Sequence, residues 1–259
     1  MTKPPGKLLP LVAALLCGAV LAQAAKPSDH SVASAAPVVQ TAAHGPLNVP
    51  VKHEPAPPGP KKQKTHHQRS TPPADDWNLT AHGKVLYLTF DDGPQPEWTP
   101  KVLQVLRKHK AKATFFVLGI QVAQFPELLT LERAAGHHVG NHTWDHKTLT
   151  LLPEAKMRQE ITSGVKSKCL RPPTGATNAK IAATAAAVHQ RQVLWDVDTE
   201  DWTKPGVAKI EHAIMTGARP GAIILMHDGG GNRSETVAAL DQALTKLSRQ
   251  GYTYRSLPC

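Results

Sequence analysis

From His82 onward the chain alternates short apolar runs with longer amphipathic stretches, and this alternation restricts the fold more than any other feature of the sequence. Residues 85–90 read as a strand. Residues 100–109 read as a helix, because Val102, Leu103, Val105 and Leu106 form one apolar face. The pattern continues with strands at 113–118, 138–140, 169–171, 192–197, 222–226 and 252–256. Helices separate them at 126–135, 153–164, 178–189, 207–216 and 234–250, the last capped by Ser234. Such alternation demands parallel strands joined by right-handed crossovers, in a barrel or in an open doubly wound sheet. The polar clusters decide between them. Asp91 and Asp92 follow the first strand, His142 and His146 the third, Arg171 the fourth, Asp198 and Asp201 the fifth and His227 the sixth. Chemistry at the carboxyl ends of many strands belongs to a (β/α) barrel, whereas an open sheet gathers it at one crevice. The expectation is an α/β fold, a distorted and incompletely closed (β/α)7 barrel.

The N-terminal part has a different character. Residues 1–24 carry Lys3 and Lys7, an apolar run over 8–21 and a small-residue end at Ala22 and Ala24, which is the pattern of a cleaved signal peptide. The run is shorter than the ~20 residues a membrane-spanning helix needs. A lipid anchor on Cys17 is disfavoured by Leu16, which stands where a small residue is required. Residues 25–80 hold ten of the 23 prolines and a single aromatic, Trp77, so they cannot bury enough apolar surface to offset their ordering entropy. They read as a disordered linker, leaving 81–259 as the catalytic domain. The expected location is outside the cytoplasm: secreted, periplasmic or attached to the envelope. A formal net charge of +10 suits an anionic surface or polymer. It does not indicate nucleic acid, because the basic residues are scattered and no recognition motif accompanies them. Cys169 and Cys259 remain once the leader is removed, and the sequence leaves open whether they pair.

Two adjacent carboxylates, Asp91 and Asp92, and two imidazoles four residues apart, His142 and His146, have the donor types of a hydrolytic metal centre. The spacing of the histidines places them on one face of a helical turn. One acid can then bind the cation while the other takes a proton from water. A non-haem iron triad uses the same ligand types but keeps its carboxylate close to the first histidine in sequence. Gly229, Gly230 and Gly231 lack the lysine and hydroxyl of a phosphate-binding loop and read as a flexible turn. Trp144 can either stack on a sugar or pack beneath the site.

Five blocks occur in order: TFDDGP at 89–94, HTWDH at 142–146, RPPTG at 171–175, DTEDW at 198–202 and LMH at 225–227. In these blocks the chain resembles the polysaccharide deacetylases of carbohydrate esterase family 4, the NodB homology domain, over roughly 82–259. The resemblance implies a divalent cation on Asp92, His142 and His146, with zinc the first choice and cobalt the second. It implies Asp91 as general base, oriented by Arg171, and His227 as general acid, tuned by Asp201. The backbone N–H of Thr174 would bind the oxyanion, and Trp202, Leu225 and Pro173 would line the acetyl pocket. The implied partner is an N-acetylated polysaccharide, peptidoglycan or a chitin-like glycan, with acetate as product. Two departures stand out. Thr174 occupies a place where the family usually has Tyr or Phe, which widens the groove. The segment between Gly164 and Cys169 is short for the family, which is expected to remodel a rim loop. The competing functions are an O-acetyl esterase on xylan-type glycan and a wall-binding module without turnover.

Overall fold

The structure, a computed structural model, describes residues 83–259. The expected leader and linker lie outside the described residues. The elements run β1 (Val85–Asp91), α1 (Thr99–Lys108), β2 (Ala113–Val117), α2 (Gly119–Gln124), α3 (Pro126–Ala134), β3 (His138–Asn141), α4 (Glu154–Ser163) and β4 (Cys169–Leu170). They continue with α5 (Ala179–Ala186), β5 (Arg191–Gln192), β6 (Val197–Asp198), α6 (Val207–Gly217), β7 (Ile223–His227), α7 (Ser234–Arg249) and β8 (Thr253–Tyr254). Every strand pairing is parallel. The order is β5-β4-β3-β2-β1-β7-β6, with β8 added on β1. The path has seven strands and leaves β5 and β6 as its two ends, so the barrel is open as the sequence suggests.

Alternation along the strands sorts the core into layers. Leu86, Leu88 and Phe90 of β1 face outward against Val102 and Leu106 of α1 and Leu240 and Leu244 of α7. Val85 and Tyr87 face inward with Phe116, Trp195, Ile223 and Leu225. The same parity carries Thr89 and Asp91 inward on β1 and His227 inward on β7. A third cluster, with Leu149, Met157, Ile161 and Ile181, lies under α4 and α5.

The expected strand at 192–197 is two short strands separated by a crossing. The carbonyls of Val193 and Leu194 accept hydrogen bonds from Arg171, both at 3.2 Å, instead of continuing a ladder. Ser234 does not cap the last helix: it is the first helical residue, and its N–H donates to Asn232 Oδ1 at 2.9 Å. Among the described helices none is long and apolar enough to cross a membrane.

Cys169, at the start of β4, is joined to Cys259 across a sequence separation of 90 residues, with Cα atoms 5.1 Å apart. Closing so long a loop restricts the unfolded chain, so Cys169→Ser is expected to lower stability by about 2–5 kcal/mol. The urea midpoint of the variant reads this out. An unchanged midpoint would mean that the link contributes nothing in solution.

Candidate active site

The C-terminal ends of the strands bring the chemical residues to one mouth. Asp91 and His227 are Cα partners in the β1–β7 register, so base and acid candidates stand side by side on the inner face. Beneath them Arg171 is fully buried and extends across the barrel. Its guanidinium donates to Asp91 Oδ1 and to Thr89 Oγ1, both at 2.8 Å, and it lies 4.0 Å over the Phe116 ring. Burial pushes Asp91 above the ordinary carboxylate value, and the charges of Arg171 and His227 hold it partly back. The result is a stronger base than a solvated aspartate, fixed in orientation.

The next residue, Asp92, adopts φ 71° and its carboxylate faces the loop after β3, where Asp91 Oδ2 also comes within 3.7 Å of His142 Nε2. There Asp92 Oδ1 lies 3.5 Å from Nε2 of both His142 and His146. The three candidate ligand atoms all lie within 4.8 Å of one another. Asp92 Oδ1 is buried with no hydrogen-bond partner. An orphaned carboxylate oxygen facing two imidazole nitrogens is a donor set without its acceptor, and it fits a divalent cation. His142 Nδ1 donates to the Arg171 carbonyl at 2.8 Å, which leaves the Nε2 lone pair for the site. Burial drives its pKa down to about 3, against the pull of Asp92, so the His142 imidazole is neutral at neutral pH, as a candidate ligand must be.

His142 and His146 do not share a helical turn. They lie in an irregular loop after β3, and Thr143 (φ 73°) and His146 (φ 67°) both take left-handed backbone there. The loop is held from below. Asn141, fully buried at the end of β3, accepts from the Thr143 N–H at 2.9 Å, and Glu160 of α4 accepts from the N–H groups of Trp144 and Asp145 at 3.2 Å. Among the described residues, six of the eight non-glycine positions with positive φ are site-loop residues: Asp92, Thr143, His146, Thr174, Glu200 and Lys204. Each costs of order 1–3 kcal/mol, so the surrounding contacts must impose this geometry.

One such contact set joins the loops after β1 and β7. The N–H groups of Asp228 and Gly229 donate to the Asp91 carbonyl at 3.1 and 3.3 Å. A Cβ on Gly93 would stand 2.4 Å from Asp228 Oδ2, and one on Gly229 would stand 2.1 Å from the Asp92 carbonyl oxygen. Gly229 is therefore a close-packed element of the site and not part of a flexible turn. Sequence reasoning missed Asn141, Glu160 and Asp228. The signal for each is a polar residue at a place where the pattern requires burial.

His227 completes the mouth. Its Nδ1 bonds Asp201 Oδ1 at 2.7 Å, and its N–H donates to Asp201 Oδ2 at 2.9 Å. Thr236 at the start of α7 donates to the same oxygen at 2.8 Å. Burial works against charge on His227, but the Asp201 bond and charge outweigh it, with help from Asp91 and Asp92, and raise the pKa to about 9. A dication beside Asp92 would reduce that last contribution. His227 is thus a proton donor at neutral pH, and the alkaline limb of the activity profile is expected where it deprotonates. Asp201→Asn should move that limb down by about 1–3 pH units. A profile that stayed in place would separate Asp201 from the tuning of His227.

The remaining residues form the rim. Thr174 is exposed with φ 58° beside buried Pro173, and Trp202 is 57 % exposed. Leu225 lies inward on β7, two residues below His227. Asp198 is not with the cation ligands: its carboxylate accepts from the Glu200 N–H at 2.9 Å on the surface. Trp144 packs against Gly119, where a Cβ would meet its ring at 2.5 Å, so it supports the loop. The short 164–169 segment starts at Gly164, packed against the Asn141 side chain that holds the histidine loop, and leads from there to the start of β4.

The polysaccharide deacetylase family model matches residues 78–193. The peptidoglycan-N-acetylglucosamine deacetylase of Bacillus cereus is 40% identical over 69% of this chain and 88% of its own length. The chain belongs to the polysaccharide deacetylases, carbohydrate esterase family 4. The chitooligosaccharide deacetylase of Bradyrhizobium sp. is 39% identical over 68% of this chain and 90% of that protein. The peptidoglycan deacetylase PdaC of Bacillus subtilis superposes with a TM-score of 0.62 at 36% identity, covering 68% of this chain and 88% of that one. As a family member the protein is a polysaccharide deacetylase hydrolase. Asp201, Trp202, Leu225 and His227 lie beyond residue 193, outside that family-model match.

Proposed function

We propose that this protein is an exported, cation-dependent N-deacetylase that hydrolyses the acetamido groups of N-acetylglucosamine units in peptidoglycan or chito-oligosaccharide and releases acetate. The observation that carries the reading is the pairing of Asp91 with His227 across β1 and β7, beside the Asp92, His142 and His146 cluster. Asp92, His142 and His146 would hold the cation, zinc before cobalt by their mixed nitrogen and oxygen donors. When bound, it supplies Lewis acidity to water and to the acyl oxygen.

The protein's own groups supply the remainder. Asp91, kept basic by burial and aimed by Arg171, takes the proton of the attacking water. The Thr174 N–H, on its left-handed turn, faces the developing oxyanion as donor, a role that any side chain at 174 permits. His227 donates its Nε2 proton to the leaving nitrogen, while Asp201 and Thr236 hold its other side. Pro173, Leu225 and Trp202 enclose the acetyl methyl and exclude water.

An amine is a poor leaving group and needs a strong proton donor, whereas an alkoxide needs less help. The buried Asp201–His227 pair therefore favours N-acetyl over O-acetyl substrates. Acetate release should be at least tenfold faster from an N-acetylated than from an O-acetylated oligosaccharide, and chelation should stop it until zinc is restored. Faster release from the O-acetylated sugar would assign an esterase. Binding to glycan with no acetate released in added zinc would assign a wall-binding module.

A further inference from the structure

A second concave feature lies at the barrel end opposite the catalytic mouth. It is an open cavity of about 260 Å³ where β3 and β4 begin. Arg133 from the last turn of α3, His137 and His138 at the start of β3, Lys166 and Ser167 before β4, and Cys259 line it. Since all strands run parallel, these starting ends lie away from Asp91, His142, Arg171 and His227, which occupy the finishing ends.

The polar side chains lining this cavity supply hydrogen-bond donors. Arg133 and Lys166 are exposed cations. Ser167 Oγ accepts from the Cys169 N–H at 3.1 Å and keeps its own hydrogen to donate. The Ala113 N–H donates to His137 Nδ1 at 3.1 Å, which fixes that ring's proton on Nε2, and His137 is only 6% exposed. Burial, with Lys112 and His138 nearby, lowers the His137 pKa to about 4, so it remains a neutral donor. His138 is held by its Nδ1 donating to the Leu257 carbonyl at 2.6 Å. The Lys112 ammonium, bonded to the Ala135 carbonyl, adds a further cation beside Gly136. Among the described residues no Asp or Glu side chain lines the cavity.

We propose that this cavity is an anion site that takes a phosphate group of a phosphodiester polymer and anchors the protein with its catalytic mouth free. A guanidinium from α3, an imidazole N–H from the start of β3, and an ammonium and a hydroxyl from the segment before β4 suit an anion with several acceptor oxygens in three dimensions. A planar carboxylate is satisfied by one fork of two donors. The exposed positions of Arg133, His138 and Lys166 let a group enter while still attached to its chain. The described residues carry 22 Lys and Arg against 16 Asp and Glu, an excess that draws a polyanion toward the protein. The site stands whether or not the deacetylation reading holds.

The test is calorimetric titration of the full chain with inorganic phosphate, with poly(glycerol phosphate) and with polyglutamate of matched charge. Phosphate and the phosphate polymer should both saturate, and the polymer should bind more tightly. The double substitution Arg133→Ala and Lys166→Ala should weaken both by about tenfold or more, from the loss of two charged donors. Both residues are on the surface, so the thermal midpoint should stay in place and certify the fold. Absence of saturable binding, binding untouched by the double substitution, or polyglutamate binding as tightly as the phosphate polymer would each overturn the assignment.

Discussion

Asp91→Asn is expected to cut acetate release by about 10²–10⁴-fold, the usual contribution of a positioned general base, while the cation stays bound. The substitution is isosteric and the amide oxygen can still accept from Arg171, so the fold and the neighbouring Asp92 are undisturbed. What disappears is the buried carboxylate that Arg171 fixes beside His227, with a pKa that burial raises. Metal content and activity measured on the same sample separate the two adjacent acids. An Asn variant with ordinary turnover would assign the base elsewhere, and one that loses the cation would make Asp91 a ligand.

His142→Ala should act in the opposite order, with the cation lost first and activity following. It removes one of three candidate ligands, and it also leaves the Arg171 carbonyl without its donor. Changing a residue that merely orients a ligand costs about 10–100-fold in metal affinity, so removing the ligand itself should exceed about 100-fold. A zinc titration with a competing chelator measures it. Equal affinity in the variant would exclude His142 from the centre, whatever happens to turnover.

Much of this molecule could be seen in its sequence, for a physical reason. The strand and helix periods of a parallel barrel are local, and β1, with apolar residues on both faces, and α7, with its apolar stripe, announce themselves without reference to anything distant. The candidate site residues that the structure gathers at the mouth were visible too, because they follow strands and strand ends converge in this architecture. What could not be seen depends on contacts remote in sequence. The break between β5 and β6 exists because Arg171 claims the carbonyls of Val193 and Leu194, and nothing in residues 192–197 records that demand. Helical spacing suggested a turn for His142 and His146, yet Asn141 and Glu160 hold a left-handed loop there instead. Gly229 resembled a flexible joint because its reason for being glycine is the backbone of Asp92, in a loop more than a hundred positions earlier.

Crystals soaked in zinc and measured at the zinc absorption edge interrogate the cation centre without reliance on turnover. The expected map has one strong anomalous peak bonded to the Asp92 carboxylate and to Nε2 of His142 and His146, with Asp91 outside bonding distance. A peak held by other residues, or no peak in a correctly folded crystal, would contradict a hydrolase built on this site.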